Sequence, residues 1–264
     1  MTFSAVLFDL FDTLVLFDRN RLPEVQIDGR GFRSTAGHLF PILAPHAPGV
    51  DLPRFFDALI WSWQEAERIR AADYREVGAP ERFAFLFRRL GLDPGRIPAD
   101  VLDTLLSTHK RYLAQAAELP AEHLTLVTRL ARRHRLGIVS NFDYAPTAHW
   151  ILERERVTGL FQAVVVSADV GWRKPKPAIF EVAFRRLGIG PADALFVGDR
   201  VDIDVVGAKA VGMAVAWFNP TGEPAPPALP APDYELKSLA ELERILAPGN
   251  PDAEPSASPA HLTE

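Results

Sequence analysis

Five aspartates, two serines and an asparagine stand where short apolar runs stop. Asp9 follows Ala5-Val6-Leu7-Phe8, and Ser140-Asn141 follows Leu136-Gly137-Ile138-Val139. Ser167 follows Val164-Val165-Val166, and Gly198-Asp199 follows Ala194-Leu195-Phe196-Val197. Asp12 lies shortly after the first run, and Asp202 and Asp204 shortly after the last. A single acid after a strand commonly serves as a turn former or helix cap. Several carboxylates at one point repel one another unless a cation joins them. An all-oxygen ligand set with no His or Cys nearby suits Mg²⁺.

These residues converge only if the runs before them are parallel strands of one sheet. Each run is too short for a helix and is rich in Val, Ile or Phe, as in a strand buried on both faces. Helical spacing separates the later runs: Leu124, Val127, Leu130 and Ala131, then Ile179, Val182, Ala183 and Leu187, ending at Gly188 as C-cap. The pattern Val205 to Val211 leads into a fifth strand, Ala214-Val215-Ala216-Trp217. The alternation predicts an α/β fold, a Rossmann-like parallel sheet with right-handed crossovers. In such sheets ligands bind beyond the carboxyl ends of the strands.

Residues 16–119 read differently. They hold no comparable β run, whereas Phe55, Phe56, Leu59, Ile60 and Trp63 recur at helical spacing, as do Phe83, Leu86, Phe87 and Leu90. Leu102, Leu105 and Leu106 begin another stripe. This predicts a helical cap inserted after the first strand, with residues 1–15 and 120–247 forming the core. Within Trp61-Ser62-Trp63 the aromatic residues are placed either in the cap's own core or against a substrate pocket. Asn219 to Pro232 reads as a Pro/Ala-rich loop, with a short last helix around Leu239, Leu242 and Ile245, and 248–264 as a disordered tail.

Composition bounds the function. The chain has 264 residues, 48% hydrophobic, enough for a substantial core. It has no cysteine, so no disulfide framework, no thiolate-held zinc and no thiol nucleophile. A net charge of −5 provides no basic field for nucleic acid. No apolar stretch approaches the roughly 20 residues of a membrane helix, and the N-terminus lacks a basic leader region. The chain reads as a cytoplasmic protein, and nothing in it fixes an oligomeric state. Five lysines stand against 24 arginines, which gives weight to a lysine at a special position.

Taken together, the groups resemble, in order, the four motifs of the haloacid dehalogenase superfamily, in the subfamily whose α-helical cap follows the first strand. They are Asp9-Leu10-Phe11-Asp12-Thr13, Ser140-Asn141, Lys174-Pro175-Lys176-Pro177, and Gly198-Asp199 followed by Asp204 and Gly207-Ala208. The passages around Ser140-Asn141-Phe142-Asp143 and Gly171-Trp172-Arg173-Lys174-Pro175 are most similar to the subgroup named haloacid dehalogenase-like hydrolase domain-containing protein 3. The resemblance implies an Mg²⁺-dependent hydrolase of a small phosphate ester. Asp9 would be the nucleophile, forming a covalent aspartyl intermediate that water then hydrolyses. Thr13 and Ser140 would donate hydrogen bonds to the transferring group, Asn141 would position it, and Lys174 would neutralise charge. Asp9, Asp199 and the carbonyl of Phe11 would hold the metal, with Asp204 ligating or orienting it. Asp202 is expected as a helix N-cap and Lys176 as a solvent-facing lysine. A helix beginning after Asp199 would offer free N–H groups to an anion.

One position departs from the pattern. Phosphatases of the superfamily carry a second acid two residues after the nucleophile, which protonates the leaving oxygen, and here that residue is Phe11. Such an acid typically supplies about a hundred- to ten-thousand-fold in rate. Asp12 is one residue later and, in an extended segment, on the opposite side. The gap keeps two other readings open: a metal-free 2-haloacid dehalogenase, whose halide leaving group needs no proton, and a phosphate-binding or regulatory protein with little turnover. Against the dehalogenase stand the acids Asp199 and Asp204, and Phe180 where that branch carries a tyrosine.

Overall fold

The computed structural model describes residues 3–247, so the tail expected after Pro248 lies outside the described residues. The first strand, β1 (Ala5–Phe8), is followed by β2 (Leu16–Phe17), a hairpin of β3 (Glu24–Ile27) and β4 (Arg30–Arg33), and four helices: α1 (Ala36–Leu43), α2 (Leu52–Asp73), α3 (Ala79–Arg89) and α4 (Ala99–Gln115). The chain returns through β5 (Ala117–Glu118) and α5 (Ala121–Leu130) to β6 (Arg135–Ser140), α6 (Ala145–Arg154), β7 (Ala163–Val166), α7 (Ser167–Val170) and α8 (Pro177–Leu187). It closes with β8 (Ala194–Gly198), α9 (Val206–Ala210), β9 (Ala214–Phe218), β10 (Tyr234–Leu236) and α10 (Leu242–Ile245).

Among the described residues a six-stranded sheet has the order β10-β9-β8-β1-β6-β7, with every neighbouring pair parallel. All five strands expected from apolar runs are in it. β1 lies at its centre, with Phe8 level with Ile138 on one side and Val197 on the other. Successive side chains enter opposite layers. Val6 and Phe8 pack with Leu136, Ile138, Leu195 and Val197, whereas Ala5 and Leu7 pack with Val139, Ala194 and Phe196 against α8. Period-two alternation inside an all-apolar run is what a sheet covered on both faces requires. Burying a side chain such as Phe8 contributes roughly 1.5–3 kcal/mol.

The inserted helices have a core of their own. Phe55, Phe83, Leu86, Leu39 and Leu105 are fully buried together. Asp51 caps α2, its carboxylate accepting from the Arg54 N–H at 2.9 Å. The expectation of an insertion without β structure is corrected by the β3–β4 hairpin. Its strands are polar and only Val25 and Ile27 are buried, so no apolar run marked it. The turn is Asp28-Gly29, with φ of 48° and 76°, a short-range hairpin signal in its own right. β2 and β5 pair antiparallel at the neck, Phe17 opposite Ala117, where the chain leaves and re-enters the core. β10 also lies beyond what the apolar runs marked.

Gly188 ends α8 in the left-handed conformation at φ 64°, as its position suggested. Gly207 is needed for a close approach: a Cβ there would sit 2.7 Å from the Phe180 ring and 3.0 Å from the Pro175 backbone. Gly207→Ala is therefore expected to lower stability by about 1–3 kcal/mol through overpacking, seen as a reduced Tm in thermal melts. An unchanged Tm would show that the contact relaxes freely.

Candidate active site

Lys174 is the centre of the site. Its side chain is 1% exposed, and its ammonium lies 2.7 Å from Asp9 Oδ1 and 2.8 Å from Asp204 Oδ1. Burial opposes the charge, but Asp204 and Asp9 outweigh it and hold the lysine above its ordinary pKa. Asp9 stands just past β1, its N–H donating to the Val197 carbonyl at 2.8 Å. Asp199 stands just past β8, its carbonyl accepting from the Trp217 indole at 2.8 Å. Asp204 reaches back under Gly198, where a Cβ would lie 2.4 Å from its carboxylate. A glycine closes β8 because any side chain would displace that carboxylate.

Oxygens of Asp9, Asp199 and Asp204 lie within 4.8 Å of one another. Three carboxylates against one lysine leave an excess of negative charge in a largely buried place. Burial first, then Asp9 and Asp204, push Asp199 up to about 7. Burial and Asp9 push Asp204 up to about 6 against the opposing Lys174. An oxygen-only donor set with unbalanced charge fits a hard divalent cation such as Mg²⁺.

The other expected residues are brought to the same crevice, with different partners in some cases. The Asn141 amide brackets the lysine backbone, its Oδ1 accepting from Lys174 N–H at 2.8 Å and its Nδ2 donating to Lys174 carbonyl at 2.9 Å. The Ser140 hydroxyl is buried and has no hydrogen-bond partner among the described residues. Thr13, expected to face the transferring group, is fully buried and donates to Asp199 Oδ1 at 3.3 Å. Asp202 is no N-cap; it pairs with Arg200 at 2.6 Å. The chain from Val201 to Val205 makes a wide π-type turn before α9, in place of the α-helix expected directly after Asp199. Lys176 is not free in solvent: its amine donates to the Asp73 carbonyl at 3.0 Å and lies 3.5 Å over the Trp172 ring.

Phe11 stacks on Phe142 with centroids 4.6 Å apart and meets Phe17 edge-on at 6.1 Å. Asp12 has a left-handed backbone, φ 60°, and its carboxylate accepts from the Phe17 N–H at 3.1 Å. Phe11, Asp12, Ser140, Lys174 and the three acids line a cavity of about 170 Å³. Through Asn141, Arg173 and Arg200 it adjoins a groove of about 510 Å³ between core and cap. Trp63, 54% exposed, stands in that groove, so this aromatic faces the cleft rather than the cap interior. His109 also lines it, with Nε2 3.1 Å from Arg82 and Nδ1 2.9 Å from the Thr35 hydroxyl. Burial and the Arg82 charge lower its pKa to about 3, so it is neutral near pH 7. No spacing pattern marks Arg70, Arg82, His109 or Glu76 in the sequence.

Residues 3–212 match the model of the haloacid dehalogenase-like hydrolases. The chain belongs to that family. It is 31% identical over 247 residues to a glyceraldehyde 3-phosphate phosphatase of Pyrococcus furiosus, covering 92% of this chain and 91% of the relative. Its fold is similar to a 2-haloacid dehalogenase of Pseudomonas syringae, with TM-score 0.68 and 22% identity over 93% of this chain and 98% of that one. It is also similar to a magnesium-bound hydrolase of Bacillus subtilis, with TM-score 0.57 and 22% identity over 93% of this chain and 99% of that one. The family hydrolase is thus an enzyme of known fold with relatives named as phosphatases. No helix among the described residues is long and apolar enough to cross a membrane.

The raised acids set a pH dependence. Between about pH 4 and pH 7 the folded, metal-free chain retains protons on Asp204 and Asp199 that the unfolded chain has released. Their contribution therefore makes stability fall as pH rises through that window and level off above it. Melts of metal-free protein from pH 4.5 to 7.5 should show this fall, and Asp199→Asn should flatten it. Parallel profiles for the two proteins would contradict the raised pKa.

Proposed function

We propose that this protein is a magnesium-dependent phosphatase acting on a small phosphorylated metabolite through an aspartyl-phosphate intermediate. The observation that carries the reading is the convergence of Asp9, Asp199 and Asp204 on the buried Lys174 at the strand ends. The phosphatase relative that spans nearly the whole chain supports it, and the magnesium in the Bacillus subtilis neighbour supports the metal.

In this reading the free carboxylate oxygen of Asp9 attacks phosphorus, and the bond from phosphorus to the ester oxygen breaks with its electron pair on the leaving group. Water then hydrolyses the aspartyl-phosphate and regenerates Asp9. Lys174 orients Asp9 through their 2.7 Å contact, with its charge beside the phosphoryl oxygens. Ser140, whose buried hydroxyl has no partner among the described residues, donates to one of those oxygens. Asn141 fixes Lys174 by its two backbone bonds. Thr13 acts through Asp199, whose carboxylate it orients. Asp9, Asp199 and the Phe11 carbonyl would hold magnesium, with Asp204 beside them, and the bound ion would supply positive charge to offset the carboxylates and Lewis acidity toward the phosphoryl group.

The test is hydrolysis of an activated aryl phosphate by purified protein. Activity that requires Mg²⁺, stops with chelator and disappears in Asp9→Asn is the expected result, and Asp199→Ala should weaken Mg²⁺ binding and turnover together. Phe11 favours a second reading strongly enough to include its assays. Halide release without metal would move the assignment to dehalogenation. Saturable phosphate binding without turnover would move it to a binding protein.

Phe11 also predicts a leaving-group dependence. Aryl and acyl phosphates, which need little proton assistance, should be turned over well, and alkyl phosphates poorly. Phe11→Asp should raise alkyl-phosphate turnover selectively where the new carboxylate comes within about 3 Å of the leaving oxygen. A circular dichroism melt must accompany it, because the variant exchanges a stacked ring for a charge. Wild-type rates indifferent to leaving group would mean that another residue supplies the proton.

A further inference from the structure

The connection between α2 and α3 is joined to the loop carrying Lys174 by more than packing. Glu76, in that connection, has a side chain only 1% exposed. Its carboxylate lies 2.9 Å from Arg70 Nη2 and 2.7 Å from Arg173 Nη1, and it accepts from the Ser167 hydroxyl. Arg70 belongs to the cap, whereas Ser167 and Arg173 belong to the core, and Arg173 is the residue before Lys174. The backbones are stitched as well. Glu76 N–H donates to the Gly171 carbonyl at 2.9 Å, and Arg173 N–H donates to the Tyr74 carbonyl at 2.9 Å. Arg75 and Trp172 form an antiparallel bridge between these bonds.

A matching contact holds the other side of the lysine. Asp143, two residues after Asn141, lies 2.8 Å from Arg82 and 3.8 Å from Arg70 of the cap, and its carbonyl accepts from Ala79 N–H at 2.7 Å. Three guanidiniums, Arg70, Arg82 and Arg173, are thus answered by three carboxylates, Glu67, Glu76 and Asp143. With their charges already neutralised inside the protein, these arginines are built to hold loops rather than to capture a substrate anion.

We propose that Glu76 is a positioning residue for Lys174, acting through Arg173, and that the α2–α3 connection is fixed to the lysine loop rather than part of a moving lid. To lift this part of the cap, the chain would have to break three backbone bonds and strand a buried carboxylate. The lysine would lose its bracing with the same movement. The kinetic consequence rests on the phosphatase reading; the structural consequence does not.

The experiment compares wild type with Glu76→Gln, which keeps the shape and removes the charge, and Glu76→Asp, which keeps the charge. Asp233→Asn is the control: it breaks the ion pair between Lys209 and the buried Asp233 at the β10 edge of the sheet, away from the lysine loop. Misplacing Lys174 should lower kcat for an activated aryl phosphate about ten- to a hundred-fold in Glu76→Gln with KM little changed, and Glu76→Asp should recover part of that loss. Asp233→Asn should lower Tm and leave kcat unaltered. Amide hydrogen exchange, which needs no substrate, should show the Arg173 N–H exchanging faster in Glu76→Gln while α3 stays as protected as in wild type. Wild-type exchange at Arg173 in Glu76→Gln would overturn the proposal even if no phosphate ester is ever hydrolysed. So would a kcat loss of equal size in Asp233→Asn, which would mark the effect as general destabilisation.

Discussion

The buried ammonium of Lys174 between Asp9 and Asp204 is the interaction on which the rest of this structure depends. Three carboxylates at the ends of neighbouring strands would repel one another in a medium of low dielectric constant, and an unpaired buried lysine would be still less favourable. Each makes the other tolerable. Their meeting requires β1 and β8 to be adjacent and parallel, so that Asp9 and Asp199 emerge at the same end of the sheet, one residue apart in register. Gly198 must lack a side chain, so that Asp204 can pass beneath it. The loop after β7 must return Lys174 to β1, and the Asn141 amide, just past the intervening strand β6, holds it there by both its backbone groups.

Charge is balanced differently in the two halves of the cleft. At the strand ends the acids outnumber the lysine, which leaves room for a cation. Where the cap meets the core, guanidiniums and carboxylates answer one another, and His109 beside them is kept neutral by burial and Arg82. Asp143 illustrates the second regime: burial would raise its pKa, but Arg82 foremost, with Arg70 nearby, holds it below the ordinary value. The negative excess lies at the strand ends, whereas Arg70, Arg82 and Arg173 at the cap–core contact are each paired with a carboxylate.

How far the sequence revealed this follows from range. Ala5–Phe8 and Ala194–Gly198 were legible because strands buried on both faces are continuously apolar, and the acids could be placed by the residue after each run. The cap helices were legible from stripes such as Phe83, Leu86 and Phe87. The β3–β4 hairpin was marked only by the Asp28-Gly29 turn and the alternation of Val25 and Ile27, since Arg30–Arg33 is exposed throughout and neither strand is an apolar run. Thr13 shows the limit at the site itself. Its place in the motif suggested a substrate contact, but burial directs its hydroxyl to Asp199, a partner 186 residues away. Glu76 and Arg70 were equally silent, because charged residues on a single sequence look solvated until folding brings cap and core together.

Phe11 sits where these arguments meet. Its ring lies on Phe142, the residue after Asn141, and its edge contacts Phe17 at the neck of the cap. It therefore ties the segment carrying Asp9 to the segment that brackets Lys174. An aromatic pair of this kind contributes about 0.5–1.5 kcal/mol beyond burial. A general acid at the same place would typically be worth a hundred- to ten-thousand-fold in rate, or about 3–5 kcal/mol in the transition state. Packing on that scale does not replace proton transfer on this one. Nor is Asp12 arranged to take over, since its left-handed backbone directs the carboxylate to the Phe17 N–H. Under the proposed phosphatase reading, a site so constructed would rely on carboxylate, lysine and cation to stabilise the phosphoryl group. It would leave to the leaving group itself the burden of departing without a proton from position 11.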